Sequence, residues 1–176
     1  RAMYKITNTI TVPKSGDDNF EDEKRHMVFF KERVGGRSND TVEMKIETFV
    51  SLDKNGKGVK IKTRFDNEVK DHRVRIMVPT GINSDVHKAD SVFEVVTRNN
   101  RHNAGWNNPS GCEHEQGFVS IDDGEKGIAV ANIGLYEYEM LPDLDNTIAV
   151  TILRAVGEMG DWGVLPTPKA QCLGIS

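Results

Sequence analysis

Apolar residues in this chain recur at every second position, in one segment after another. Tyr4, Ile6, Ile10 and Val12 are apolar, while Lys5, Thr7, Thr9 and Thr11 alternate with them. Successive side chains of an extended backbone point to opposite faces, so the pattern specifies a half-buried strand. The same period returns at Val42, Met44, Ile46, Val50 and Leu52, with Glu43, Lys45, Glu47 and Ser51 opposite. It returns in odd phase at Val59, Ile61, Thr63 and Phe65, against Lys60, Lys62, Arg64 and Asp66. Between these two runs lies Asp53-Lys54-Asn55-Gly56, and Asn-Gly is a strong hairpin signal because both residues tolerate φ > 0. Two amphipathic strands joined there form a hairpin with one wet face.

Val74, Ile76 and Val78 continue the theme until Pro79, which has no ladder donor and ends the strand. Residues 91–98 (SVFEVVTR) form a β-branched run, expected to be a strand buried on both faces. Residues 118–121, 128–133, 135–140 and 148–156 complete the set, and Asp122-Asp123-Gly124 marks a second hairpin turn. Residues 19–33 start acidic and end at Arg33, which suits a helix dipole. Within them Met27-Val28-Phe29-Phe30 is a contiguous apolar run that fits a strand equally well. The expectation is a mostly β chain with little helix: an antiparallel β-sandwich of roughly nine or more strands.

Charge and cysteine usage narrow the function classes. The 176 residues carry a net charge of −4, which argues against general polyanion binding and so against nucleic acid. No apolar run approaches the ~20 residues that span a bilayer, so no membrane partner is expected. Cys112 and Cys172 have no CxxC neighbours, and two reduced thiols in a cytoplasmic protein is the preferred reading. Hydrophobic residues at 37%, with 16 glycines added, support one self-sufficient core, read as a single sandwich domain over residues 1–176. The chain opens as Arg1-Ala2-Met3-Tyr4 directly into a strand pattern and closes on Leu173-Gly174-Ile175-Ser176. It is therefore expected to be an incomplete fragment of a longer protein.

No constellation stands out as catalytic. Cys112-Glu113-His114-Glu115 groups four potential metal ligands, but neighbours in a strand face opposite ways, so at most two could share one ion. Asp71-His72-Arg73 has the elements of a dyad without a nucleophile signature. Retaining glycosidases hold two carboxylates ~5 Å apart, and no such pair can be selected from 27 acidic residues by sequence. The most unusual loop is residues 99–111 (NNRHNAGWNNPSG), which with Arg98 offers Arg101, His102, several asparagines and Trp106. Aromatic rings stack on sugar faces, and Arg and Asn bond hydroxyl pairs, so these four residues are candidates for the rim of a carbohydrate site. Equally, Trp106 could plug the open end of the sandwich or a neighbouring domain.

Several stretches together resemble the C-terminal region of glycoside hydrolase family 38, the α-mannosidases. They are Phe65-Asp66-Asn67 with Asp71-His72-Arg73-Val74-Arg75, then Pro79-Thr80-Gly81, then Ala89-Asp90-Ser91-Val92-Phe93-Glu94-Val95-Val96. Further on come Glu113-His114, Phe118-Val119, Asp123-Gly124, Gly127-Ile128-Ala129-Val130-Ala131-Asn132, Gly134-Leu135, Tyr138-Glu139 and Thr151-Ile152-Leu153-Arg154. The final Thr167-Pro168-Lys169-Ala170-Gln171-Cys172-Leu173-Gly174 resembles the bacterial branch that contains mannosylglycerate hydrolase. The resemblance runs from about Ile46 to the end and, in a looser way, takes in the first strand. It implies a large, retaining, zinc-dependent exo-α-mannosidase, with the nucleophile and zinc ligands in an N-terminal catalytic domain. None of that domain's motifs occur here, so no catalytic residue, metal ligand or cofactor is carried over to this chain. What the resemblance implies for it is a galactose-mutarotase-like supersandwich whose partners are its own N-terminal catalytic domain and a mannoside, with self-association open. A free-standing carbohydrate-binding or assembly module is the alternative. The loop at 99–111 matches no family-wide pattern, and the sequence stops before the last strands expected of the family.

Overall fold

The alternating segments become strands, and the register between them decides which side chains share a face. The computed structural model describes residues 1–26, 28–29, 32–102, 104–105 and 111–156, and among these it forms eleven strands and one helix. The chain divides into two compact units, Arg1–His72 with the stretch that begins at Ala155, and Arg73–Arg154, each described by itself.

In the first unit β1 (Ala2–Pro13) pairs antiparallel with β2 (Thr41–Leu52), and β2 with β3 (Lys60–Arg64), giving a sheet in the order β1-β2-β3. Tyr4 lies opposite Val50 and Val50 opposite Ile61, so the apolar phases of all three strands fall on one face. On the other face Lys5 pairs with Glu47 at 2.7 Å. The Lys5 ammonium and the Arg64 guanidinium stand 5.6 and 5.7 Å from the Phe49 ring centre, covering the one aromatic in the polar phase. The β2–β3 hairpin forms as expected, but through a wider loop. The Gly56 amide donates to the Asp53 carbonyl at 2.9 Å, and Lys60 reaches back to Asp53 at 2.7 Å. Neither Asn55 nor Gly56 adopts a positive φ. For residues 19–33 the helix reading holds in the first half: α1 spans Asp18–His26. Asp17 caps it, accepting from the Phe20 amide at 2.8 Å, and acidic residues open it while Lys24, Arg25 and His26 close it. Met27, Phe30 and Lys31 lie outside the described residues.

The second unit is a sandwich of two four-stranded antiparallel sheets. One has the order β4 (His72–Val78), β11 (Ile148–Ala155), β10 (Glu137–Met140), β7 (Cys112–His114). The other has the order β6 (Val95–Asn99), β5 (Val86–Asp90), β8 (Phe118–Asp122), β9 (Gly127–Ala131). The inward phases meet in one core: Ala89, Val119 and Ile121 from the second sheet, Tyr138, Met140, Ile148 and Val150 from the first, and Ile82 from the connection. The turn read at Asp122-Asp123-Gly124 is present, with Gly124 at φ 89° and Asp123 Oδ1 accepting from the Glu125 and Lys126 amides.

Residues 91–98 depart from their expected form. They are not one buried strand but the tip of the β5–β6 hairpin followed by β6. The Ser91 amide donates to the Glu94 carbonyl at 2.8 Å to close the turn. Phe93 sits in it at φ 72° and is fully exposed. The left-handed conformation costs a bulky L-residue about 1–2 kcal/mol, which is why an apolar run without glycine gives no warning of a turn.

Candidate functional site

β6 and β7 are edge strands of opposite sheets, and polar side chains close the sandwich between them. His87 on β5 lies directly opposite Arg98 on β6, and both belong to the inward phase. Glu113 on β7 lies opposite Tyr138 on β10, again inward. These four residues form one network. The Arg98 Nε donates to Glu113 Oε2 at 2.8 Å, while Nη1 donates to the Tyr138 hydroxyl and to the His114 carbonyl, each at 2.8 Å. His87 is 2% exposed, with Nε2 2.6 Å from the Tyr138 oxygen and Nδ1 2.8 Å from Asn100 Oδ1. The Asn100 amide nitrogen donates to the Ser84 carbonyl, so its oxygen faces His87 and Nδ1 must carry the proton. The bare Nε2, at 2.6 Å, and Glu113 Oε2, at 3.1 Å, then compete for the one Tyr138 hydroxyl proton, and the phenol oxygen accepts from Arg98. Burial supports this neutral tautomer, because it pushes the imidazole below its ordinary value. Burial likewise drives the Tyr138 phenol well above its own ordinary value, and the nearby Glu113 charge adds to the effect.

Arg98 also forms one wall of an open cleft of about 820 Å³, together with Arg101, His102, Glu113, His114, Tyr136 and Glu137. Three of the four rim candidates read from the sequence, Arg98, Arg101 and His102, are thus brought together. Trp106 lies outside the described residues. Arg98 is tied down along most of its guanidinium edge. Arg101 is exposed, with one bond to the Asp143 carbonyl at 3.2 Å. Tyr136 is 60% exposed and offers a ring face that sequence reasoning did not single out. It falls in the run expected as a strand over 135–140, in phase with the buried Tyr138 and Met140, but β10 starts only at Glu137, which leaves the ring outside the sheet and exposed.

The outward face of the first sheet carries a second polar cluster. Arg154 and Thr151 hold one oxygen of Glu137 at 2.6 Å each, and Arg73 and Arg75 reach Glu139 at 3.0 and 2.7 Å. Arg73 also donates to the Cys112 sulfur at 2.7 Å, and Cys112 is a free thiol. Cys172 lies outside the described residues. Burial works against the Glu137 charge, but Arg154 and Thr151 overcome it and hold the carboxyl below its usual range. A general acid needs the opposite. Gly111, at φ 69°, leads into β7 under this cluster, where a side-chain carbon would meet Glu139 at 2.8 Å.

The segment Cys112-Glu113-His114-Glu115 divides as strand geometry requires. Cys112 and His114 lie on the outer face with Glu137 and Glu139, and Glu113 lies inside. Glu115, just past β7, is completely buried, and neither carboxylate oxygen has a hydrogen-bond partner. Burial raises its carboxyl to about 7; the neighbouring Asn132 side-chain amide opposes this only weakly, because its nitrogen is outside hydrogen-bonding geometry, and the Asp90 charge adds to the rise. Among the described residues no three His, Cys, Asp or Glu side chains converge as metal ligands. No described helix is long and apolar enough to cross a membrane.

The comparisons with known proteins agree with one another. Residues 14–159 match the sequence model of the glycosyl hydrolases family 38 C-terminal domain. A protein of Halalkalibacterium halodurans, provisionally named a mannosylglycerate hydrolase, is 40% identical over 173 residues. The match covers 98% of this chain and 19% of that relative. An α-mannosidase from Enterococcus faecalis V583 superposes with a TM-score of 0.84 at 41% identity, over 91% of this chain and 18% of that one. A glycosyl hydrolase family 38 protein from Enterococcus faecalis gives a TM-score of 0.80 at 42% identity, over 98% and 20%. The chain therefore spans about a fifth of the length of these relatives.

Proposed function

Since the chain belongs to glycosyl hydrolase family 38 through its C-terminal domain, we propose that it is the non-catalytic β domain of a retaining α-mannosidase. The parent enzyme cleaves terminal α-mannosides in cytoplasmic carbohydrate metabolism. One observation carries this reading: the superposition on an α-mannosidase at a TM-score of 0.84 and 41% identity, confined to 18% of that enzyme's chain. The polar chemistry agrees with it. The carboxylates of the cleft are held by arginines, and Glu137 is tuned away from proton donation. The zinc implied by family resemblance does not fit the described residues of this chain, which offer no three-ligand cluster. Its ligands belong to the remainder of the polypeptide.

On this reading the chain's own contribution is positional. The Arg98–Glu113–Tyr138–His87 network fixes the wall of the cleft. Arg101 and His102 then offer donors to substrate hydroxyls at its rim, and the Tyr136 ring offers an aromatic face to the sugar ring. An aryl α-mannoside tests the assignment. The 176-residue chain should show no hydrolysis, while the full-length gene product should turn the substrate over and lose activity with a chelator. Chelator-resistant hydrolysis by the 176-residue chain would sink the division of roles. Calorimetric titration of the same chain with mannose and mannosyl oligosaccharides addresses the alternative of a free-standing sugar-binding module. Heat at millimolar ligand would favour that alternative.

A further inference from the structure

The tip of the β5–β6 hairpin is strained with no compensating contact among the described residues. The position held by Phe93, at φ 72°, is one that glycine, asparagine or aspartate fills at least cost. Instead it carries a phenyl ring that is 102% exposed, beside Val92 at 55% and Val95 at 53%. The turn is closed by its own backbone bond between Ser91 and Glu94, so the ring is not needed to hold the hairpin together. Strained residues persist where the side chain is required, and a cluster of exposed large apolar groups marks a contact surface.

We propose that residues 92 and 93 form a docking knob that inserts into an apolar socket on the part of the parent polypeptide outside these 176 residues. The proposal rests on the reading of the chain as the C-terminal domain of a longer glycoside hydrolase. The chain spans 19% of its Halalkalibacterium halodurans relative, so about four-fifths of such a polypeptide is available to provide the socket. The occupant proposed is this remaining polypeptide, and a second copy of the chain is the outcome that would overturn it.

Hydrogen exchange of residues 91–95 tests it, measured in the 176-residue chain and in the full-length gene product. Exchange at least tenfold slower in the longer protein is expected, and equal exchange overturns the proposal. The variants Phe93→Gly and Phe93→Asn relieve the backbone. Each should raise the melting temperature of the 176-residue chain by about 2–4 °C and lower that of the full-length protein. A rise in both overturns the proposal, as does a gene product no longer than 176 residues. Self-association of the 176-residue chain that Phe93→Gly abolishes, with residues 91–95 unprotected in the long protein, assigns the knob to a second copy and overturns it too. An inactive full-length protein that still protects 91–95 removes the mannosidase reading and leaves the docking intact.

Discussion

Glu113 and Glu115 are two residues apart, belong to one segment and leave water in opposite circumstances. Glu113 meets a guanidinium delivered from the facing sheet and lies beside a phenol. Glu115 is more deeply buried and meets neither. The first is a structural charge that ties two edge strands together. The second behaves as a proton-binding group, with its carboxyl raised to about 7. Burial alone does not decide what a carboxylate does; the presence of a partner within bonding distance does.

The largest expected effect would erase this difference. The Glu115 carboxyl binds its proton more tightly folded than unfolded. It therefore favours folding below about pH 4.5, and that contribution is lost as pH rises to about 7. Glu115→Gln should raise stability by about 3 kcal/mol at pH 8, with little gain at pH 4, as read from urea denaturation at both pH values. An equal effect at both would show that Glu115 carries no shifted proton equilibrium. Next in size is the reverse operation, giving Glu113 the isolation of Glu115. Arg98→Met should cost about 2 kcal/mol, below the range for fully buried pairs because the side chains are 18% and 25% exposed. The double variant Arg98→Met/Glu113→Gln should recover part of that loss, and strict additivity would deny the coupling. Smallest is Tyr138→Phe, which removes the hydroxyl shared by His87 Nε2, Glu113 and Arg98. It should cost about 1 kcal/mol by thermal or urea unfolding, and a neutral result would show that water replaces the phenol.

Much of the architecture could be read from periodicity, because period two is a direct consequence of backbone geometry. The opposition of Tyr4, Val50 and Ile61, the end of β4 before Pro79, and the turn at Gly124 all follow from residue type and spacing. Turns were less transparent. Asn55-Gly56 promised a tight positive-φ turn and instead lies in a wider loop, whereas the positive φ falls on Phe93, where no glycine advertised it. The grouping of Arg98, Arg101 and His102 in one cleft could be anticipated from their proximity in sequence. The roles of His87, Tyr138 and Glu115 could not. They depend on contacts made across the core by residues distant along the chain, and alternation reports a face without naming what occupies it.

The three-stranded sheet has a further consequence for the protein in solution. β1 is twelve residues long, lies at the sheet's edge and contains a single charged side chain, Lys5. One row of its amides and carbonyls pairs with β2, while the other points away from the sheet. A long edge of this kind is a template on which another extended chain can add. Among the described residues nothing covers that row, so light scattering of the 176-residue chain at high concentration is expected to show association through this edge. Lysine at Thr7 or Thr9 would act as a gatekeeper against it.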